Sequence, residues 1–272
     1  MASQWFNGKN VLIFGGSSGI GLEAAKKLAA RGAHIMIFAR NSQKLEAALA
    51  EIEKHRLVPQ QKFACLSVDV SDFSAVKELA ETCVKDFGVP QILINCAGRA
   101  IPRYFEDISY QQFDETMKIN LYGVWNTTSA FFPYMKERGG SIVNTSSVGG
   151  FLGVFGYADY AASKFGIIGL SEVLRSELRR YNIHVSVLCP PDTQTPGFDQ
   201  ENKTKPKETI AISEGGGLLD AGAVADALLC GIENGTPVII PGLEGKLTHF
   251  LKRHTPFVLD LIMNRSIQKA QK

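Results

Sequence analysis

Short apolar runs alternate with longer amphipathic ones along the chain. Val11-Leu12-Ile13-Phe14, Ile35-Met36-Ile37-Phe38, Cys65-Leu66-Ser67-Val68 and Ile92-Leu93-Ile94 are brief, bounded and rich in strand formers. Ser141-Ile142-Val143, His184-Val185-Ser186-Val187-Leu188 and Val238-Ile239-Ile240 repeat the pattern. Near-continuous apolar strands separated by helical patterns predict a parallel sheet covered on both faces. Leu22, Ala25, Leu28 and Ala29 predict a helix over 23–30, stopped at Gly32. Leu45, Leu49 and Ile52 predict another from Ser42, read as its cap, to His55. Further helices are predicted over 72–87, 113–135 and 157–180. This order gives the α/β class, a doubly wound parallel sheet of about seven strands. No linker, charge block or internal repeat divides it, so residues 1–272 are read as one domain.

Two stretches depart from the rhythm. Residues 190–218, from Pro190-Pro191-Asp192-Thr193 to Gly215-Gly216-Gly217 and Leu218, are polar and rich in Pro and Gly. A loop of this length after a strand's carboxyl end is expected to be a substrate lid or disordered. Residues 243–272 mix Leu247, Phe250, Phe257, Leu259, Leu261 and Ile262 with Lys246, Lys252, Arg253 and Arg265. Such a basic amphipathic segment can lie on a bilayer surface, close a dimer or cover a pocket.

Composition removes several classes. With 29 basic and 27 acidic residues the net charge is +2, without the concentrated basic face of a nucleic-acid binder. Apolar residues at 45% and charged at 21% describe an ordinary globular protein. No apolar run of about 18 residues is present to span a membrane. The start, Met1-Ala2-Ser3-Gln4-Trp5, has no basic region leading into an apolar one, so no secretory leader is expected. Five scattered cysteines, Cys65, Cys83, Cys96, Cys189 and Cys230, form no C-x-x-C pair. Most of them read as small buried hydrophobes in a reducing, cytoplasmic compartment, and the histidines show no metal-ligand spacing.

The candidate chemistry begins at Phe14-Gly15-Gly16-Ser17-Ser18-Gly19-Ile20-Gly21, between the first strand and first helix. Gly15, Gly19 and Gly21 permit a tight turn, and the backbone around Ser17, Ser18 and Ile20 can offer N–H groups to a pyrophosphate at the helix end. The spacing is G-x-x-x-G-x-G rather than G-x-G-x-x-G. The second strand ends Phe38-Ala39-Arg40, where a carboxylate would bind the ribose 2′-hydroxyl of NAD. Arg40 can instead pair with a 2′-phosphate, which favours NADPH/NADP+; a solvated arginine opening a helix is the competing reading.

Tyr160-Ala161-Ala162-Ser163-Lys164 places a phenol and an ammonium one helical turn apart. A nearby ammonium would lower the phenol from its ordinary pKa of about 10 towards useful acid–base chemistry. Ser147 follows a strand, Asn95-Cys96-Ala97-Gly98 ends another, and Asn120 lies in the helical segment between them.

This set resembles the classical short-chain dehydrogenase/reductase family over nearly the whole chain. The resemblance implies a single-domain Rossmann fold. It assigns Tyr160 as proton donor, Lys164 to the nicotinamide ribose, Ser147 to the substrate carbonyl and Asn120 to a relay water. It also places Asp69 and Val70 near the adenine, Asn95, Ala97 and Gly98 along the cofactor, and Pro190, Thr193 and Thr195 near the nicotinamide. Phe14 stands where the family usually has threonine, Cys96 where it has a second asparagine, and Pro191 where it has glycine. Hydride from NADPH and a proton from Tyr160 would then reduce a ketone.

Cys189-Pro190-Pro191-Asp192-Thr193-Gln194-Thr195-Pro196-Gly197-Phe198 is similar to a run of the 3-ketodihydrosphingosine reductase subfamily. The stretches Phe151 to Tyr157 and Glu201 to Glu214 are similar too. This resemblance implies reduction of 3-ketosphinganine to sphinganine in sphingolipid biosynthesis; the wider family resemblance implies a homodimer or homotetramer, and the basic amphipathic segment 243–272 suggests peripheral contact on the cytosolic membrane face. The alternatives are a reductase of another lipophilic or steroid-like ketone, a catalytically silent nucleotide-binding protein, and a membrane-surface scaffold.

Overall fold

Val11 and Ile13 face one helix layer, while Leu12 and Phe14 face the other. That alternation along the first strand, β1 (Asn10–Phe14), decides the architecture, because every other side chain needs an apolar cover on its own side. The computed structural model describes residues 4–214 and 216–272; Met1–Ser3 of the chain start and Gly215 of the 190–218 loop lie outside the described residues.

Six further strands join β1 in one parallel sheet: β2 (His34–Ala39), β3 (Phe63–Ser67), β4 (Ile92–Asn95), β5 (Gly140–Thr145), β6 (Ile183–Leu188) and, later in the chain, β9 (Val238–Ile239). Their spatial order is β3-β2-β1-β4-β5-β6-β9. The chain moves outward from β1 on one side and returns to β4 on the other, so the β1/β4 boundary is a switch point with a crevice at its carboxyl edge.

Helices α1 (Gly19–Ala29), α2 (Ser42–Glu53) and α9 (Ala221–Glu233) cover the Val11 and Ile13 face, through Leu28, Leu45 and Leu228. Helices α3 (Phe73–Asp86), α5 (Gly123–Met135) and α6 (Ala158–Leu178) cover the other, through Val76, Phe131 and Leu178. Each such fully buried aliphatic or aromatic side chain contributes about 1.5–3 kcal/mol. Phe14 stacks on Phe38, with ring centroids 4.4 Å apart, so it fills the second core.

Several expected boundaries shift. Asn41, rather than Ser42, caps α2, its side chain accepting from Lys44 N at 2.9 Å. The helix expected over 113–135 begins earlier, as α4 (Tyr110–Met117), and is broken by a π-helical turn over Lys118–Tyr122 before α5. Cys83 and Cys189 are buried as expected, whereas Cys230 is exposed at the end of α9.

The expected loop over 190–218 is largely structured. It carries β7 (Thr193–Gln194), α7 (Pro196–Glu201) and α8 (Lys207–Ser213), and β7 pairs with β8 (Leu219–Asp220). Thr195 caps α7 with Pro196 in its first turn, a start signal masked by the Pro/Gly-rich composition. The last residues form α10 (Leu243–His254) and α11 (Pro256–Gln271), and α11 lies on α8, burying Leu259.

Candidate active site

The glycine turn is built for close approach. Gly15 has φ +85°, and a Cβ there would sit 2.6 Å from Ala97 N; a Cβ on Gly21 would overlap Gly15 O. The turn thus presses against the end of β4 and lets α1 begin with an exposed Ser18 at its cap. Ser18 makes no side-chain cap hydrogen bond, and no acidic residue occupies the first turn. Open donors and a positive helix end fit a pyrophosphate, so the residues present fit a dinucleotide. Ser17 and Ile20 are half-buried beside it, and Gly19 approaches Thr195 at the base of α7.

Arg40 and Asp69 meet at the neighbouring strand ends, with Arg40 Nη1 3.7 Å from Asp69 Oδ2. Partial burial pushes the Asp69 carboxyl up, but donors from Ser71 and the Arg40 guanidinium outweigh it and hold the group below its ordinary value. Ser71 donates both its N–H and its hydroxyl to Asp69 Oδ1. Val70 is buried under α5, its carbonyl accepting from Asn126 Nδ2 at 2.8 Å.

Ser147, Tyr160 and Lys164 converge at the carboxyl ends of β5 and β6. The Ser147 hydroxyl accepts from Gly149 N at 3.0 Å and donates to Pro190 O at 3.4 Å, beside the Tyr160 phenol whose pKa it pulls down. Lys164 Nζ donates to Thr145 O at 2.8 Å and lies 5.5 Å from the Tyr160 ring centroid. Burial pulls Lys164 down to about 8, against the opposing influence of Cys96 and Cys189. Tyr160 is pushed up, chiefly by burial, with the Ser147 hydroxyl pulling it down and the Glu201 and Asp192 carboxylates adding to the rise. The expected lowering by Lys164 is therefore not the dominant effect; desolvation of the phenol is larger.

Asn120 is fully buried in the π-helical turn, which re-aims its side chain towards β4. Its Oδ1 accepts from Arg99 N at 2.9 Å, and its Nδ2 donates to Arg99 O and to Ser163 Oγ, both at 3.0 Å. A Cβ on Gly98 would stand 3.3 Å from Asn120 Oδ1 and 3.5 Å from Lys164 Nζ, so that glycine keeps the space between them open.

Asn95 has a different place. Its amide donates to Asn144 Oδ1 at 2.9 Å and accepts from Thr127 Oγ1 at 2.8 Å, so the side chain ties β4 to β5 and α5. Thr193 Oγ1 turns back to Pro191 O at 2.8 Å, and Thr195 Oγ1 accepts from Phe198 N at 3.1 Å.

Sequence reasoning missed two sets of partners. Asp159 is buried and receives Thr116 Oγ1 at 2.8 Å, Gln112 Nε2 at 3.1 Å and Tyr160 N at 2.8 Å, clamping α4 to the start of α6. Above Tyr160, Tyr157 donates its hydroxyl to Glu201, and Glu201 pairs with Lys205 at 3.3 Å. The i, i+4 spacing of Glu201 and Lys205 was the available signal for the second set.

A model of the short chain dehydrogenase family matches residues 9–206. The chain belongs to that family. It is 45% identical over 209 residues to 3-ketodihydrosphingosine reductase of Bos taurus, covering 76% of this chain and 63% of that protein. The chain thus matches just under two thirds of the length of that relative. A 3-ketodihydrosphingosine reductase of Dictyostelium discoideum is 40% identical over 266 residues, 92% of this chain and 80% of the relative. Among solved structures, a short-chain dehydrogenase from Sphingobium yanoikuyae in complex with NADPH superposes with a TM-score of 0.76 at 26% identity, covering 94% of this chain and 93% of that one.

Proposed function

We propose that this protein reduces 3-ketosphinganine to sphinganine with NADPH, a step of sphingolipid biosynthesis. The observation that carries it is the convergence of Ser147, Tyr160 and Lys164 beneath α7 and α8, the segment in which the chain resembles the ketosphingoid reductases.

Bound reduced nicotinamide would supply the hydride. The glycine turn and the α1 N-terminus would hold its pyrophosphate, Asp69 its adenosine side, and Arg40 the 2′-phosphate that separates NADPH from NADH. Tyr160 hands its proton to the developing alkoxide, and Ser147 donates a hydrogen bond to the same oxygen. Burial keeps Tyr160 protonated at neutral pH, the state a proton donor requires. Lys164, fixed by Thr145, presents its ammonium to the ribose and the phenol. Asn120, held by Arg99 and Ser163, shapes the backbone beside Lys164 for a relay water.

Two surfaces suit partners. Tyr122 of the π turn and Trp125 of α5 are exposed and, with Phe73 and Leu170, line an apolar groove of about 570 Å³ that fits self-association into a homodimer or homotetramer. The α10–α11 face, with exposed Leu247, Phe250 and Phe257 among basic residues, fits a membrane surface. Among the described residues no helix is long and apolar enough to cross a membrane.

The decisive assay is consumption of NADPH by purified protein with 3-ketosphinganine, beside NADH and a panel of unrelated lipophilic ketones. Fast turnover confined to NADPH and the sphingoid ketone is expected. Turnover of the other ketones alone would discard the substrate.

A further inference from the structure

Lys205 has its ammonium almost wholly buried, with the side chain 2% exposed, and finds no hydrogen-bond acceptor among the described residues. Its Nζ lies 3.3 Å from Glu201 Oε1, 3.9 Å from Asp192 Oδ2 and 4.1 Å from the centroid of Phe198. None of these satisfies its N–H directions, and an ammonium kept from water without acceptors is costly. A cleft of about 190 Å³ opens beside it, lined by Asp192, Phe198, Lys205 and Ile210 among others.

The charges beside that cleft do not balance formally. Asp192 lines it, and Glu201, outside its wall, pairs with the same ammonium, so two carboxyl groups face one lysine; burial pushes the Glu201 carboxyl up, as expected where no further cation is near. The cluster adjoins the reacting centre, because Tyr157 donates to Glu201 and its ring centroid is 5.6 Å from that of Tyr160. Both carboxylates also push the Tyr160 phenol up, which opposes the alkoxide protonation equilibrium only until a cation neutralises them.

We propose that Asp192, Glu201 and Lys205 form a subsite for an amino-alcohol head group on the ketone substrate. The substrate ammonium lies against the two carboxylates and restores neutrality. Its hydroxyl oxygen accepts from Lys205, and Phe198 covers the head group from one side. This rests on the ketosphingoid reading above and deepens it: the residues select an α-ammonium, β-hydroxy ketone over a plain long-chain ketone. Glu201 and Lys205 come from α7 and the turn after it, so the subsite is carried by the lid and not by the dinucleotide half.

The test measures kcat/KM of the full chain for four ketones of equal length: 3-ketosphinganine, its N-acetyl derivative, its 1-deoxy analogue and 3-octadecanone. NADPH fluorescence reports that each variant is folded. Wild type is expected to prefer 3-ketosphinganine over 3-octadecanone by about 100-fold or more, and Glu201→Gln to collapse that ratio by a similar factor. Asp192→Asn, at a less buried position, collapses it in the same direction should Glu201→Gln fail to fold. Lys205→Met is expected to reduce the preference for 3-ketosphinganine over its 1-deoxy analogue by about 10-fold. Reduction of 3-ketosphinganine no better than its N-acetyl derivative, or ratios unmoved by the carboxylate variants, would overturn the subsite while leaving the substrate reading in place. Turnover of 3-octadecanone without 3-ketosphinganine, or of neither, would overturn the reading and the subsite together.

Discussion

Lys164 Nζ and the carbonyl oxygen of Thr145 are joined at 2.8 Å, which pins a buried ammonium to the last residue of β5. Burial lowers this lysine from 10.5 to about 8, so it is charged below about pH 8 and neutral above. If the ammonium is needed at the ribose and the phenol, kcat/KM for ketone reduction falls as pH rises through about 8. Lys164→Arg, which stays charged, is expected to be slower and to lack that limb. The linkage has a second sign. Between about pH 8 and 10.5 the unfolded chain holds a proton that the folded chain has released, so this lysine's contribution makes stability rise with pH there. A pH–rate profile of both proteins checks the assignment, and an unchanged limb in the arginine variant would refute it.

Tyr160→Phe removes the proton donor and keeps the ring. The expected result is a fall in kcat of about 10²–10⁴-fold with NADPH binding retained. Turnover at the wild-type rate would refute Tyr160 as the proton donor.

The parallel sheet was legible because β1, β2 and β4 carry apolar residues on both faces, and only a doubly covered sheet buries such runs. Tyr160, Lys164 and Ser147 were legible because a helical turn and a strand end fix their spacing locally. The π turn at Asn120 was not, since its residues also suit a continuous α-helix and only the tertiary pull of Arg99 and Ser163 distinguishes the two. The Asp192, Glu201 and Lys205 cluster was hidden for a different reason. Its charges read as the solvated face of a polar loop until α7 folds them over Tyr157.

Arg40 is two-thirds exposed in its side chain and loosely tethered by Asp69 at 3.7 Å, which leaves its guanidinium able to meet a phosphate. Arg40→Ala is expected to lower the ratio of kcat/KM with NADPH to that with NADH by about 10–100-fold. Arg40→Asp should lower it further, since a carboxylate repels the phosphate and can accept from a 2′-hydroxyl. An unchanged ratio in both variants would return Arg40 to the role of a solvated helix-start residue.

Asp159 holds three donors from inside the protein, those of Thr116, Gln112 and Tyr160. Asp159→Ala strands them and unclamps α4 from α6, costing about 1–3 kcal/mol. Thermal unfolding followed by circular dichroism should show Tm lowered by about 3–10 °C. A smaller change would mean that water replaces the carboxylate without disturbing the two helices.

Membrane contact is best tested by substitution rather than truncation. Removing residues 243–272 would strip α11 from α8 and expose the lid, since Leu259 is buried there and Gln271 donates to Glu208 at 3.4 Å. Leu247, Phe250 and Phe257 are exposed and make no such contribution to the core, while Lys246, Arg253 and Arg265 are exposed on the same two helices. Apolar insertion plus attraction to anionic lipid predicts flotation with anionic vesicles, weaker flotation with zwitterionic ones, reduction of the anionic case to the zwitterionic level in high salt, and loss of both in the triple variant Leu247→Ser, Phe250→Ser, Phe257→Ser. If wild type and the triple variant float equally, the α10–α11 face does not carry the contact, and its exposed apolar side chains are left for another copy of the chain.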